Sequence, residues 1–382
     1  MAAFDLLVVS DARFQGGTTA AMVSDVRAFS ALGARIGLMF VRSAYLDDSS
    51  DPVNPAALAL ADLDGVTLLA PDSKARAGTA FLHHPLVFFR GIEECAEFSA
   101  DRAVLVTHHA PFRADGSLEY DPVAVCRRAW RALGLAPWFA PVSGIIRAQL
   151  QSFAPLIRLT SEDWPNTFDT DAWRRGPPIL EGGRITVGRH GRADALKWPA
   201  TAAEISASLP AGAGVRVRVL GCPEAELTAL GVDLSGWEVL AFGAETPQDF
   251  LHALDVFVYH YSPNWVEAFG RTVAEAALCG RLCLLDPRLE ATFGEIGLYC
   301  RPGEVAAVLD RLRTDPSKAR ARAARGEELA RTRYGLASVA ARLNRLRADR
   351  GDTGRTRPDT PPLQTARKLV GLYRRRARGG AG

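Results

Sequence analysis

VFVYHYSPNWVEAFGRTVAEAALCGRLCLLDP, residues 256–287, contains two short apolar runs separated by a loop and by a stretch with helical spacing. The order strand, loop, helix, strand indicates a βαβ unit and therefore a parallel sheet. Ligands of such sheets bind at the carboxyl ends of the strands, where backbone N–H groups and the helix dipole attract anions such as phosphate. Glu267 and Glu275 are eight residues apart, about two helical turns, so we expect both on one face beside such a site.

The same alternation of apolar runs and helical segments extends through most of the chain. It starts with FDLLVVS at 4–10, a helical stretch from Thr18 to Leu32 and ARIGLMFV at 34–41. A Pro- and Gly-rich segment at 154–183 interrupts it before strands resume with RITVGRH at 184–190. This pattern predicts an α/β protein with two doubly wound, Rossmann-like domains in tandem.

Length and composition agree with two folded domains. The chain has 382 residues, more than one hydrophobic core usually serves, and its 48% hydrophobic content excludes wholesale disorder. We place an N-terminal domain at 1–165, a C-terminal domain at 166–349 and a basic tail at 350–382. Residues 351–382 carry eight Arg/Lys and two Asp, a local +6 that leaves −3 for the rest of a chain of net charge +3. The folded body is therefore not expected to bind nucleic acid.

Compartment signals favour the cytoplasm. The N-terminus has an acid at Asp5 and no basic residue before its apolar run, which is wrong for a secretory signal. No stretch approaches the roughly 18 to 20 apolar residues of a spanning helix. The six cysteines form no Cys-x-x-Cys pair, so we expect buried thiols in a reducing compartment.

The stretch at 256–287 resembles the Glu-x7-Glu region of retaining glycosyltransferases of the GT-B fold, in particular family 4. The matching residues here are Ser262-Pro263, Glu267-Ala268-Phe269-Gly270, Glu275-Ala276 and Gly280. The order of Ser and Pro departs from the family pattern. The resemblance implies a GT-B arrangement of two domains facing a cleft, with Glu267 catalytic. It also implies donor contacts from Ala268, Phe269, Gly270 and Glu275.

A second segment, ITVGRHGRADALKWP at 185–199, is similar to the opening of the second domain in that family. There a strand is followed by Gly-Arg and, several residues later, by Lys. The resemblance assigns Arg189 and Lys197 to the donor diphosphate, whose charge increases as the glycosidic bond breaks. The gap of eight residues exceeds the usual five or so, so Arg192 is an alternative to either.

The first domain supplies two further groups of candidates. Gly16-Gly17 follows the first strand and resembles the loop that faces the donor phosphates and the acceptor in GT-B enzymes. Two His-His pairs end consecutive predicted strands, at 83–84 and 108–109. A family histidine at such a strand end contacts the donor sugar, which assigns a catalytic role to His84 and an acceptor-side contact to His109. Metal binding by the four histidines is the alternative.

Two Asp-x-Asp segments, at 62–64 and 169–171, are typical of metal-dependent transferases of another fold. Neither follows a strand as such a site requires, so we interpret both as non-catalytic. We expect no metal and no cofactor, since the nucleotide-sugar is a substrate.

Together these resemblances imply a retaining hexosyltransferase-type glycosyltransferase. It would move a sugar from a nucleotide-diphospho-sugar to a glycan, lipid-linked or small-molecule acceptor in bacterial-type surface polysaccharide or glycoconjugate synthesis. Two alternatives stay open, a nucleotide-sugar 2-epimerase of GT-B fold and a non-catalytic glycosyltransferase-like binding subunit.

The tail has a pattern of its own. Apolar residues at 363, 366, 370, 373 and 377 recur at helical spacing, with six basic residues and no acid among them. This predicts a basic amphipathic helix over 363–378 that contacts an anionic membrane, on its inner face for a cytoplasmic protein. A solvated tail and a polyanionic partner are the alternatives.

Overall fold

The computed structural model describes residues 2–46, 51–93, 95, 97–153, 156–351, 353–354 and 362–379. The chain divides into two compact units: unit 1 is Met1–Phe168 with Leu336–Gly382, and unit 2 is Asp169–Gly335. Among the described residues, no helix is long and apolar enough to cross a membrane.

Unit 1 is built on a sheet of order β16-β9-β8-β7-β5-β1-β2-β4, with a separate ribbon β3-β6. Pairing in the large sheet is parallel except that β16 runs antiparallel to β9. The strands are β1 (Ala2–Ser10), β2 (Ile36–Phe40), β3 (Arg42–Ser43), β4 (Val66–Leu68), β5 (Lys74–His83), β6 (Ile92–Glu93), β7 (Glu97–Thr107), β8 (Trp138–Pro141), β9 (Arg158–Leu159) and β16 (Thr353–Gly354). The helices are α1 (Gly17–Ala31), α2 (Pro55–Leu58), α3 (Pro85–Phe89), α4 (Pro122–Leu133), α5 (Gly144–Gln151), α13 (Ser338–Ala348) and α14 (Pro362–Gly379), with a 3-10 turn at Ala59–Asp62.

Unit 2 is built on a fully parallel sheet of order β12-β11-β10-β13-β14-β15. Its strands are β10 (Ile185–His190), β11 (Val215–Leu220), β12 (Trp237–Leu240), β13 (Val256–Tyr259), β14 (Leu282–Leu285) and β15 (Gly297–Tyr299). Its helices are α6 (Ala202–Ser208), α7 (Glu224–Ala229), α8 (Pro247–His252), α9 (Arg271–Leu278), α10 (Glu290–Phe293), α11 (Val305–Thr314) and α12 (Pro316–Tyr334). Shorter 3-10 turns lie at Ala195–Lys197, Pro287–Leu289, Gly294–Ile296 and Pro302–Glu304.

The strand order explains where ligands can bind. Each unit begins in the middle of its sheet, adds strands on one side and then crosses to the other side. The order reverses between β1 and β5 in unit 1 and between β10 and β13 in unit 2, which is the doubly wound arrangement. Loops after these strands diverge at the point of reversal and leave a crevice at the carboxyl edge of the sheet. The candidates Gly16, His84, Lys197 and Glu267 follow β1, β5, β10 and β13, respectively.

The central strands of both sheets are buried on both faces, and their sequences reflect this. Leu6, Leu7, Val8 and Val9 of β1 are fully buried, as the continuous apolar run predicts for a central parallel strand.

Helix α4 shows how the connecting helices are delimited. Its N-cap, Asp121, accepts from the N–H groups of Val123 and Ala124, and Pro122 occupies the first helical turn.

The boundary of the units differs from the predicted one. The chain leaves unit 1 after Phe168 rather than after residue 165, and 336–349 return to unit 1. Helix α13 packs there because Arg342 donates to the carbonyl of Pro165, at 2.6 Å, and to Thr167 Oγ1. Amphipathic spacing shows that α13 has an apolar face, but does not show which domain that face covers.

The predicted basic tail is also part of unit 1 in this division. Strand β16 pairs with β9, and helix α14 covers the predicted helix at 363–378. Leu372 on α14 is buried, whereas Val370 and Tyr373 are exposed.

Candidate active site

Glu267 lies at the carboxyl edge of unit 2, in the loop between β13 and α9, and is 7% exposed. Its Oε2 accepts a hydrogen bond from Tyr259 Oη at 2.6 Å and a longer one from Trp265 Nε1 at 3.4 Å. Burial, followed by the charge of Glu267, raises the pKa of Tyr259 well above its usual value. The phenol therefore stays protonated and donates to the carboxylate, which fixes the position of Glu267.

Lys197 is the cation beside this carboxylate. Its Nζ lies 3.7 Å from Glu267 Oε2 and 5.7 Å from the ring centroid of Trp265. The Lys197 side chain is 23% exposed and ends the 3-10 turn after β10. Arg192, in the preceding loop, is exposed and lines the same groove as Lys197 and Thr272. The groove thus offers cationic groups at the point where the strand order of unit 2 reverses.

Arg189 is placed differently from Lys197. Its guanidinium is buried between the rings of Trp198 and Tyr259, 4.2 and 4.7 Å from their centroids. Two of its nitrogens donate to backbone carbonyls, of His260 at 2.8 Å and of Lys197 at 2.6 Å. Arg189 therefore ties the loop after β10 to the end of β13 and holds the backbone of Lys197. A diphosphate contact stays a prediction for this residue.

Glu275 lies on α9, buried beside His190 and Arg271. Its carboxylate oxygens are 3.5 Å from His190 Nε2 and 3.8 Å from an Arg271 guanidinium nitrogen. Burial lowers the pKa of His190 to about 4, so that ring is neutral near pH 7. Burial raises the pKa of Glu275, and Arg271 offsets part of this rise. As predicted, Glu275 is on the helix after the loop that carries Glu267.

The segment between the two acids has a structural role as well. Phe269 is buried against the rings of Phe293 and Tyr334, at 5.7 and 5.4 Å. Gly270 has φ 87°, a conformation that favours glycine, and it begins α9 without a side-chain cap. Because glycine has no side chain, no N-cap side chain accepts from the N–H groups in the first turn of α9. A donor contact from Ala268, Phe269 or Gly270 is expected through the backbone.

In unit 1, Gly16 is the N-cap of α1 and Gly17 is its first residue, and both are exposed. Gly16 has φ 76° and ψ −145°, which side chains rarely adopt, and no other atom lies within 4 Å of where its Cβ would be. Asp11 and Arg13 form a buried ion pair at 2.6 Å just before this loop. The ion pair therefore fixes the start of the loop, while the two glycines at its end are exposed to solvent.

His84 follows β5 directly and has φ 77°, a strained conformation for a residue other than glycine. Its Nδ1 accepts from the N–H of Leu86 at 3.1 Å, so its Nε2 carries the hydrogen when the ring is neutral. Burial and the neighbouring histidines His109, His108 and His83 lower the pKa of His84 well below 6.5. Such strain at a strand end is found mainly at functional sites.

The four histidines lie together at the ends of β5 and β7. The ring of His84 is 4.6 Å from Phe14, 4.9 Å from His109 and 6.3 Å from His108, measured between centroids. Burial lowers the pKa of His109, while Glu119 opposes this shift. The sequence placed His84 and His109 at one sheet edge, and the structure brings them into contact.

The Asp-x-Asp segments lie away from these strand ends. Asp62 ends a 3-10 turn, and Asp169 accepts from the N–H groups of Asp171 and Ala172 in a local turn. Within the described ranges, no three His, Cys, Asp or Glu side chains are grouped so that they could hold a metal ion.

Three residues of these sites were not predicted. Tyr259 and Trp265 orient Glu267 through hydrogen bonds, but the sequence pattern predicts only a strand and a loop at their positions. Asp25 is a buried residue on α1, and its Oδ2 lies 3.8 Å from Nε2 of His83 in the histidine cluster of unit 1. The available signal was the acid in the stretch AAMVSDVRAFSA, whose other residues apart from Arg27 are apolar or small.

Solved structures of glycosyltransferases resemble this fold over nearly the whole chain. No protein-family model matches the chain, and no curated protein matches it in sequence. HepE of Anabaena, solved with UDP-glucose, is 13% identical with a TM-score of 0.59 over 89% of this chain and 98% of that one. A glycosyltransferase of Rickettsia africae is 11% identical with a TM-score of 0.59 over 90% and 98%. A trehalose-6-phosphate synthase is 13% identical with a TM-score of 0.53 over 90% and 99%. At these identities the likeness shows the fold: two Rossmann-like α/β domains, as in GT-B glycosyltransferases.

Proposed function

We propose that this protein is a retaining glycosyltransferase that uses a nucleotide-diphospho-sugar donor. The observation that supports this most is the arrangement around Glu267. A buried carboxylate, oriented by Tyr259 and Trp265, lies 3.7 Å from the Lys197 ammonium where the strand order of unit 2 reverses. Such a site offers one anion for sugar hydroxyls and one cation for phosphate.

Each side chain of this site has a role in the proposed reaction. As the glycosidic bond breaks, the sugar carbon becomes cationic and the diphosphate gains negative charge. Lys197 and the first N–H groups of α9 would stabilise that leaving group. Glu267 would accept hydrogen bonds from the sugar and stabilise the cationic centre, and Glu275 would hold the ribose hydroxyls. Arg189 positions Lys197 through the carbonyl that it binds.

The acceptor is proposed to bind at unit 1. There His84 offers an Nε2–H donor beside His109 and the exposed Gly16-Gly17 loop. Hydroxyl groups of a sugar are suited to such neutral imidazoles, which both donate and accept hydrogen bonds. A glycan or lipid-linked acceptor fits this chemistry and would place the enzyme in the synthesis of a surface polysaccharide or glycoconjugate.

The described part of α14 favours peripheral contact with an anionic membrane. Leu369, Val370 and Tyr373 are 49%, 51% and 75% exposed, and Arg367 and Arg374 beside them are exposed as well. Apolar side chains would enter the headgroup region while the basic ones attract anionic lipid. This contact would bring the protein to a lipid-linked acceptor.

A panel of nucleoside diphosphates and nucleotide-sugars tests the donor proposal. HepE was solved with UDP-glucose, with UDP and with UDP plus glucose, so uridine compounds are the first to test. One class should raise the melting temperature, since a ligand at a hundred times its Kd stabilises by about 2.7 kcal/mol. No shift with any member of the panel would refute the proposal.

A further inference from the structure

Two aromatic side chains that belong to no predicted motif lie beside His84 in unit 1. Phe14 is in the loop between β1 and α1, Tyr45 follows β3, and both are half-buried. The Phe14 ring centroid is 4.6 Å from that of His84 and 6.3 Å from that of Tyr45. The planes of the Phe14 and Tyr45 rings differ by only 14°. Phe14 therefore connects Tyr45 to His84, and we call these three rings the aromatic group.

A buried ion pair fixes the segments that carry Phe14 and Tyr45. Asp11 and Arg13 are 2% and 6% exposed, and their charged groups lie 2.6 Å apart. Asp11 accepts from the N–H of Ser43 at 2.7 Å, and Arg13 donates to the carbonyl of Ser43 at 2.9 Å. Phe14 directly follows Arg13, and the N–H of Tyr45 donates to Ser43 Oγ at 3.1 Å. The ion pair thus holds the backbone at both rings in one arrangement.

Ser43 also connects this arrangement to the helix that begins after His84. Its Oγ donates to the carbonyl of Val87 on α3 at 2.8 Å, and His84 is the N-cap of that helix. Thr19 Oγ1 donates to the carbonyl of Phe14 at 2.6 Å and ties this residue to α1. Hydrogen bonds to the main chain therefore fix the segments of all three rings, which reduces the cost of ordering them when a ligand binds.

The loop that carries Phe14 leaves room for a ligand. Gly16, two residues further on, is exposed, and no other atom lies within 4 Å of where its Cβ would be. Its φ of 76° is one that side chains rarely adopt, so this space stays open. At the other end of the aromatic group, His84 offers an Nε2–H donor when its ring is neutral.

This combination of groups suits one class of ligand, a sugar ring. A pyranose has hydroxyl groups around its edge and C–H groups on its faces, so one face can pack on an aromatic ring while a hydroxyl binds an imidazole. Apolar rings with a few convergent polar groups are typical of small-molecule sites. An alkyl chain would also pack on the rings, but it would leave the His84 N–H without a partner.

We propose that Phe14 and Tyr45 form a sugar-binding surface on which a pyranose of the acceptor packs, while one of its hydroxyls accepts from His84 Nε2–H. This inference rests on the proposed function of unit 1 and narrows it. The part of the acceptor that unit 1 recognises is then a saccharide, whatever that saccharide is attached to. Phe14 and Tyr45 bind the acceptor and take no part in breaking or forming the glycosidic bond.

Saturation-transfer NMR on the full chain, without nucleotide, tests this surface. The probes are the methyl pyranosides of glucose, galactose, mannose and N-acetylglucosamine, and saturation should reach the ring C–H protons of at least one of them. Hexyl β-glucopyranoside distinguishes a sugar site from a site for a lipid chain, because its ring protons should be saturated as well. No saturation in any probe, or saturation of the hexyl chain alone, would overturn the proposal.

Variants then locate the binding. Phe14→Leu should weaken the affinity for the probe roughly two- to tenfold, because an aliphatic side chain replaces the ring. Tyr45→Leu should weaken it as well, whereas Tyr45→Phe keeps the ring and should bind like the wild type. Phe242→Leu, at an exposed aromatic residue of unit 2, is the matched control and should also bind like the wild type.

Melting temperatures identify any variant that does not fold, and the variant at the other ring then decides. Wild-type affinity in a folded Phe14→Leu or Tyr45→Leu protein would refute the role of that ring in the sugar-binding surface. These measurements need no nucleotide. A failure of the glycosyltransferase proposal would therefore appear separately, as the absence of nucleotide-sugar binding and turnover.

Discussion

At the residue scale, Lys197 is the side chain whose contribution can be isolated most cleanly. It is partly exposed, and Glu267 keeps Tyr259 and Trp265 as partners when the ammonium is removed. Arg189 is less suitable, because its loss would leave the buried carbonyls of His260 and Lys197 without a donor. An unsatisfied buried group costs about 1 to 3 kcal/mol, so folding and binding effects would be mixed.

We expect Lys197→Ala to weaken nucleoside diphosphate binding roughly ten- to hundredfold. The reason is the loss of one charge-assisted hydrogen bond, of about 1.5 to 3 kcal/mol, to the diphosphate. Calorimetric titration measures the change. Lys318→Ala, at an exposed lysine on α12 of the same unit, is the matched control and should bind like the wild type. Equal affinity in all three proteins would contradict the role of Lys197.

The residue types at the site could be predicted, but their surroundings could not. The Glu-x7-Glu spacing placed Glu267 and Glu275 correctly on a loop and a helix. The sequence did not distinguish Arg189, at the end of β10, from Lys197, in the turn after it, because only packing by Trp198 and Tyr259 buries Arg189. The role of Asp25 could not be predicted, because its hydrogen-bond partners Trp164 and Thr167 lie more than a hundred positions away in the sequence.

At the scale of elements, the junction of β5 and α3 combines backbone strain with buried neutral rings. The pKa values of His83, His84 and His109 are lowered, mainly by burial. The unfolded chain therefore binds more protons than the folded chain once the pH falls below about 6.5. The contribution of these rings to stability is present above that pH and is lost as the pH decreases.

His84→Asn should reduce this acid sensitivity. Asparagine tolerates a positive φ, and its side-chain oxygen can accept from the N–H of residue 86 in place of the ring nitrogen. Denaturant unfolding at pH 8 and pH 5.5 compares the two proteins. The difference in unfolding free energy between the two pH values should be smaller for the variant, with pH 8 as the internal reference. An equal or larger difference would show that His84 does not contribute.

The elements themselves were largely predictable from the sequence. Helix α1 lies within one residue of the predicted stretch from Thr18 to Leu32, and β1 begins two residues before the predicted run at 4–10. Short pairs such as β3 with β6 and β16 with β9 were not predicted. Two-residue strands carry no periodicity, and their existence depends on the neighbouring chain.

At the scale of the whole molecule, we expect the reaction to be independent of metal ions. Phosphate charge would be neutralised by Lys197 and by the first N–H groups of α9, and the Asp-x-Asp segments lie elsewhere. Donor consumption should therefore continue in excess chelator. Activity that chelator abolishes and magnesium or manganese restores would favour a metal-assisted mechanism instead.

Deletion of residues 358–382 tests the membrane proposal. At about 1 kcal/mol per basic residue near an anionic surface, the six basic residues could contribute roughly 6 kcal/mol before the cost of ordering is subtracted. The full chain should sediment with anionic liposomes at low salt, and the truncated chain should not. Nucleotide affinity should be the same in both. If the full chain stays in the supernatant, the membrane contact does not exist.

The division into two α/β units followed from the alternating pattern and the irregular segment between them. The return of 336–349 to unit 1 did not, because it depends on which surface α13 covers. The donor nucleotide, the sugar and the acceptor depend on contacts that neither motif spacing nor the fold determines.

The most direct test of the central claim is a ¹H NMR time course of the nucleotide-sugar selected by the binding panel. The wild type should release the nucleoside diphosphate and transfer the sugar, to an acceptor or slowly to water, with the anomeric configuration of the donor. Glu267→Gln should bind the nucleotide normally but turn over about a hundredfold more slowly, since it keeps the shape and loses the charge. An inverted anomer, a C2-epimerised sugar, or no turnover by the wild type would contradict the account.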